Sequence, residues 1–416
     1  MSLPGTGGLS VTQEMLDILA QPGFISNAMG GSKLRHLFSQ QSLALNPELL
    51  SPFSLLCFIG AHDLVKKVTI SYCDCRWHGP DLTGTETPFQ LGYTVLVVAG
   101  AQRVVPRSDS PSDYPATLRL LLGNGAPPDV PNVVGMSALG YACVAPATKL
   151  DLARVLLEGG ANVDHQDRYG DTALFHALMG NDVPMVELLM EYGADLDICE
   201  ANGMCVRKSV ANFGPEVTAV VLRWERKRKG EEALLDDKNC VQCGRKTANQ
   251  CSACHTVRYC SKECQKSHWR THKPRCQAFS TSATISVKPT YGEHSLGIPL
   301  SAVTRQVFGI PTAESKKPAT FKCKPVSANP TPGGMIIKIQ LPFAKGGSDR
   351  SMFVYNRKHD FVCSIKETEN PTQYEEIAKV ILAKGISGAK AYFAAELKSR
   401  DELVIKTSEV LAAQPF

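Results

Sequence analysis

The chain has 416 residues, enough for two to four domains. It is 43% hydrophobic and 20% charged, so most of it can fold around packed cores, and it has no run of about 18 apolar residues to span a membrane as a helix. A formal net charge of +5 is too small for nucleic-acid binding by the protein as a whole. The first 25 residues lack a basic start followed by an apolar block, which argues against a secretory leader. Of fifteen cysteines, seven fall between Cys240 and Cys276. In an intracellular chain, cytoplasmic or nuclear, such clustering points to metal and not to disulfides.

Residues 1–49 form a lead-in. Met15, Leu16, Ile18 and Leu19 predict one short helix, and Leu34, Leu37 and Phe38 another, with Pro22-Gly23 and Gly30-Gly31 between them. The segment is expected to be partly ordered.

From about residue 50 a repeat emerges. Gly125-Ala126, Gly160-Ala161 and Gly193-Ala194 stand 35 and 33 residues apart. Each pair follows an apolar triplet: Leu120–Leu122, Val155–Leu157 and Leu188–Met190. A second landmark begins ten residues after each of these glycines, at Gly135, Gly170 and Gly203, and keeps the same two spacings. Two landmarks on one period carry more weight than either alone. The period, with Gly-Asp-Thr-Ala-Leu at 170–174 opening one helix and Leu-Leu-x-x-Gly-Ala closing the next, resembles the ankyrin repeat. That resemblance implies stacked helical pairs over 50–225, specific over 118–200 and degenerate before 118. Gly92 precedes Thr94-Val95-Leu96 and lies 43 residues before Gly135, so an insertion is expected near 100–116. Cys57, Cys143, Cys199 and Cys205 fall in repeat positions and read as small core residues.

Residues 223–229 read Arg-Trp-Glu-Arg-Lys-Arg-Lys, and 231–237 turn acidic. A charged linker over 226–239 accounts for this, and a nuclear-import signal at 223–229 is the alternative. Beyond the cysteine cluster, 277–333 is rich in Pro, Ser and Thr and reads as a linker. Residues 334–416 read as a small α+β domain. Strands are predicted at 335–341, 351–357 and 360–366, a helix at 374–384 stopped by Gly385, and a strand at Leu403–Ile405.

The chemistry concentrates in C-x2-C-x7-C-x2-C-x5-C-x3-C-x7-H-x3-C, whose members are Cys240, Cys243, Cys251, Cys254, Cys260, Cys264, His272 and Cys276. Eight such ligands make two tetrahedral sets, the preference of Zn²⁺. Cys260 and Cys264 are four apart, as are His272 and Cys276, so each pair can leave one helical face. A segment this short buries too little apolar area to fold alone, and the metal must supply the folding energy. At every ligand position the pattern is similar to the MYND zinc finger. The resemblance implies cross-braced sites, with Cys240, Cys243, Cys260 and Cys264 on one zinc and Cys251, Cys254, His272 and Cys276 on the other. His268 is the competing histidine, and the H-x3-C spacing selects His272. The resemblance also places Gln265 and Trp269 where the family contacts short proline-containing peptides. An aromatic platform beside an amide suits an extended proline segment. The alternative is that Trp269 packs over zinc-site side chains.

Eight Lys and Arg against the single acid Glu263 lie between Arg245 and Arg275, and two zincs on seven thiolates leave about +4. No recognition-helix pattern accompanies that charge, so sequence-specific DNA binding is not expected. Cys73, Cys75 and His78 offer a weaker third metal cluster, and Gly5–Gly8 lacks the preceding strand of a phosphate loop. Some MYND proteins are methyltransferases with the finger inside a SET domain. Here repeats precede the finger and no Asn-His-Ser element follows it. The expectation is a multidomain, non-enzymatic adaptor: an ankyrin solenoid, a two-zinc finger and a C-terminal α+β unit, with protein partners and no membrane. A methyltransferase, or another enzyme with a cryptic C-terminal catalytic unit, is the alternative.

Overall fold

The computed structural model describes residues 5–70, 80–104, 112–144, 147–230, most of 240–276, 284–295, 304–305, 320–322, 334–342, 351–411 and 413. Two units result, one of residues 1–209 with 304–312 and one of 210–303 with 313–416. No helix among the described residues is long and apolar enough to cross a membrane.

Helical pairs build the first unit. They are α3 (Pro52–Phe58) with α4 (His62–Ile70), α5 (Tyr93–Arg103) with α6 (Tyr114–Gly123), α7 (Ala138–Ala142) with α8 (Leu150–Glu158), and α9 (Ala173–Gly180) with α10 (Val183–Glu191). The first helices stack as α3, α5, α7 and α9, and the second as α4, α6, α8 and α10. Leu121, Leu156 and Leu189, one from each apolar triplet, are fully buried on the second helices. Gly125, Gly160 and Gly193 sit at φ of 91°, 87° and 92°, the left-handed cap that a side chain would strain. Thr172 caps α9 by accepting from the Phe175 amide, and Ser137 caps α7 by accepting from Gly140. The pairs before residue 118 are regular despite their degenerate sequence, and the insertion near 100–116 falls between α5 and α6.

The loops between pairs also stack. Val133 N donates to Phe89 O, Arg168 N to Val134 O, and Ala201 N to Tyr169 O. Each loop is built on one polar side chain. Asn132, Asp167 and Glu200 accept from the amides two and four residues further on. These three residues keep the same 35 and 33 spacing, a third landmark that the sequence carries.

Three sequence expectations need correction here. The lead-in forms α1 (Gln13–Leu19) and α2 (Gly31–Ser42), and it docks on the loops instead of standing partly ordered. Ile25 N donates to Arg168 O, Asn27 N to Asn202 Oδ1, and the Arg168 guanidinium to Leu19 O and Gln21 O. Those backbone partners complete the loop ladder, which hydropathy alone does not reveal. Second, Cys199 and Cys205 are not a pair of core thiols. They face each other across a one-residue bridge as a disulfide. Third, the charged linker starts inside a helix, because α12 (Pro215–Arg228) follows the short α11 (Val206–Ser209) and runs through the basic stretch. Lys227 lies over the Trp224 ring at 4.0 Å, a local reason for the helix to continue.

The second unit holds a six-stranded antiparallel sheet. It comprises β3 (Thr284–Val287), β6 (Gly334–Gln340), β7 (Ser351–Asn356), β8 (Val362–Lys366), β9 (Lys390–Ser399) and β10 (Glu402–Lys406), in the order β3-β10-β9-β6-β7-β8. Two-stranded antiparallel pairings lie elsewhere, a short hairpin of β1 (Thr85–Glu86) with β2 (Leu91–Gly92) and a pairing of β4 (Glu293–Ser295) with the distant β5 (Thr320–Lys322). Helix α14 (Pro371–Lys384) covers one face, burying Tyr374, Ile377 and Ile381 against Ile339, Val354 and Phe393. The expected α+β character holds, but its boundary moves. Residues 284–287, placed by sequence in the Pro/Ser/Thr-rich linker, form an edge strand paired to 403–406. Asn370 fixes it at the start of α14, accepting from Lys288 N at 2.8 Å and donating to Lys288 O.

Candidate metal centre

The finger folds around two knuckles and one helix. Cys240 N donates to Arg245 O, and Cys251 N to Val257 O, each closing a tight turn that brings its two cysteines together. Helix α13 (Lys262–His272) supplies Cys264 and His272, and Ser261 caps it by accepting from Cys264 N. Cys240, Cys251, Cys254, Val257 and Tyr259 form the whole described core, so ligand residues outnumber ordinary apolar ones.

The eight expected residues converge as two sets. Cys240, Cys243, Cys260 and Cys264 form one, and Cys251, Cys254, His272 and Cys276 the other. Within the first, the Cys243–Cys260 sulfurs are 3.3 Å apart and Cys260–Cys264 3.6 Å. Within the second, Cys251–Cys276 are 3.8 Å apart, and Cys254 Sγ is 3.6 Å from His272 Nε2. A tetrahedron with zinc–sulfur bonds of about 2.3 Å has edges of about 3.8 Å, so both sets fit a zinc ion. The first and third ligand pairs share one ion, and the second and fourth share the other, which is the expected cross-brace.

Without a metal the thiols diverge. Desolvation would raise the Cys240 thiol, but backbone amides at Cys260, Cys243 and Gln242 hold it down, at about 6. Hydrogen bonds to Cys243 and Cys264 push Cys260 up to about 12, and burial pushes Cys276 up to about 12. The thiolate is the ligand form, and a bound cation is what would deprotonate the whole set. Burial, with nearby His268 adding to it, lowers His272, leaving the neutral imidazole that coordinates. His268 is engaged elsewhere: its Nδ1 lies 2.9 Å from the Tyr259 hydroxyl. The choice of His272 over His268 therefore stands on geometry.

Gln265 and Trp269 lie one turn apart on α13. Gln265 is half-buried, while Trp269 is 39% exposed with its ring 5.9 Å from that of His272. The indole thus lies beside a zinc ligand while remaining partly exposed. The third cluster suggested by sequence, Cys73, Cys75 and His78, lies outside the described residues. Sequence reading missed another group, Asp167, Asp171 and His176, because nothing in the repeat pattern marks those positions as converging.

Comparison with known families agrees with this geometry. A family model for ankyrin repeats, in three copies, matches residues 110–199, and one for the MYND finger matches 240–276. The chain therefore carries three ankyrin repeats and a MYND zinc finger whose two clusters fit two zinc ions. It is similar to ubiquitin carboxyl-terminal hydrolase 19 of Arabidopsis thaliana, 35% identical over 66 residues, which are 16% of this chain and 10% of that protein. It is also similar to a putative ankyrin repeat protein of Acanthamoeba polyphaga mimivirus, 31% identical over 135 residues, 27% of this chain and 22% of the relative. Ubiquitin C-terminal hydrolase 15 of Oryza sativa subsp. japonica is 39% identical over 67 residues, 15% of this chain and 7% of that protein. The chain spans well under two thirds of each.

Proposed function

We propose that this chain, with its ankyrin repeats and MYND finger, is a non-enzymatic adaptor whose finger binds proline-containing peptide segments. The observation that carries the reading is the exposure of Trp269 one turn from Gln265, on a helix held by ligands to both zinc sites. A proline ring stacks on an indole with little loss of conformational freedom, and the amide can bond the extended backbone. The basic surround favours acidic residues flanking the proline. Stacked repeats offer a second protein-binding surface, and two modules on one chain raise avidity through effective concentration.

The test is a peptide array probed with the full chain before and after zinc chelation. Enrichment of proline-containing peptides that disappears on chelation supports the reading. Binding indifferent to proline, or to zinc removal, would sink it. Consumption of S-adenosylmethionine on a protein substrate would overturn the non-enzymatic part.

A further inference from the structure

We propose that Asp167, Asp171 and His176 form a third metal centre, separate from the finger, for a divalent first-row cation bound through one imidazole nitrogen and two carboxylate oxygens. Asp167 and Asp171 flank the loop that leads into α9, and His176 stands one turn inside that helix. The two carboxylates are 3% and 2% exposed. Asp167 spends Oδ1 on the amides of Tyr169 and Asp171, and Asp171 gives Oδ2 to the Arg35 guanidinium at 2.5 Å. That leaves Asp167 Oδ2, Asp171 Oδ1 and His176 Nε2, each buried and without a hydrogen-bond partner. One ligand atom from each of the three residues lies within 4.8 Å of the others.

Each residue brings a buried polar atom without a partner to one place, and such atoms are costly to leave unpaired, so the meeting of the three residues calls for a shared occupant. Two carboxylates also carry −2 against the single +1 of Arg35. A proton on His176, a proton on one carboxyl, or a cation among the three residues offsets the remainder. The distances speak against the first, and counting bound metal separates the other two. A charged imidazolium draws a carboxylate to about 2.7–2.9 Å. Here His176 Nε2 stands 3.5 Å from Asp167 Oδ2. That separation is long for a hydrogen bond and equals the edge of a tetrahedron with bonds of about 2.0–2.2 Å. One nitrogen and two oxygens suit zinc, manganese or iron(II), and three protein ligands leave a position for water. Arg35, on the second oxygen of Asp171, orients that ligand from outside the shell. Because Arg35 belongs to α2, the metal also ties the N-terminal segment to the repeats.

The test loads the full chain with zinc, strips weakly held metal with a dilute chelator, and counts ions by native mass spectrometry. Three zincs per chain are expected, falling to two in His176→Ala and in Asp171→Asn. Cobalt substitution separates the centres, since only the finger gives thiolate-to-cobalt absorption, and that band should be unchanged in both variants. Because either variant could weaken the repeats by itself, a second reading follows their thermal unfolding. Added zinc should raise the midpoint in the intact chain and leave it unmoved in His176→Ala. Two ions in the intact chain, three that persist in both variants, or a zinc-dependent midpoint that survives His176→Ala would overturn the assignment.

Discussion

Trp269→Ala distinguishes a peptide-reading indole from a structural one. A Trp side chain offers about 250 Å² at most. With 39% exposed, roughly 150 Å² is covered, worth about 4 kcal/mol at 25 cal/mol per Å², an upper bound because denatured chains are partly collapsed. Structural zinc in such fingers contributes about 10–16 kcal/mol per ion. Metal binding therefore outweighs the lost packing, and the finger should keep both ions. Peptide affinity should fall by about 2 kcal/mol, roughly 30-fold, the scale of an aromatic hot spot. The assay pairs native mass spectrometry for zinc with fluorescence anisotropy of a labelled proline-containing peptide. Loss of binding with zinc retained supports the reader. Unchanged binding refutes the groove, and loss of zinc refutes the energetic argument. Gln265→Ala should cost less, about 0.5–1.5 kcal/mol for one amide hydrogen bond.

Cys251→Ser should abolish the finger's thiolate-to-cobalt absorption from the second set while leaving the unfolding midpoint of the repeats in place, because their cores are separate; a parallel drop in that midpoint would refute the independence. Gly100→Ala should be severe, since a Cβ there would sit 1.6 Å from the Phe58 carbonyl oxygen where α3 and α5 meet. A loss of about 3 kcal/mol, lowering the midpoint by roughly 6–12 °C, is expected by calorimetry, and a wild-type melt would contradict that close approach. In the sheet, burial pushes the Lys338 ammonium down to about 7, with Lys390 adding to the effect. The unfolded chain then binds more protons between pH 7 and 10, so stability should rise across that window, and the penalty should be complete below pH 7. Lys338→Met should flatten the slope and raise stability at pH 7 by the order of a few kcal/mol, read from urea unfolding at several pH values.

The finger was almost wholly legible in the sequence. Zinc fixes ligand type, number and spacing, so the eight ligands from Cys240 to Cys276 were marked in a one-dimensional pattern, while their division into two sets came from the resemblance to the MYND finger. The specific repeats were legible for a similar reason: each unit contacts its neighbours, so the period is the structure. Strands β6, β7, β8 and β10 and helix α14 came from local periodicity. The central strand β9 did not, because Ala391, Ala394 and Ala395 favour a helix by propensity, and burial on both sides by β6 and β10 overrides that preference. The edge strand at 284–287 was hidden in polar composition, and only pairing with β10 and the clasp from Asn370 define it. The docked N-terminal helices, the Cys199–Cys205 bond and the meeting of Asp167, Asp171 and His176 under Arg35 depend on contacts between residues far apart in sequence or unmarked by any period. Metal-ligand spacing and nearest-neighbour stacking are local and can be written along a chain, whereas packing between distant segments exists only once the chain has folded.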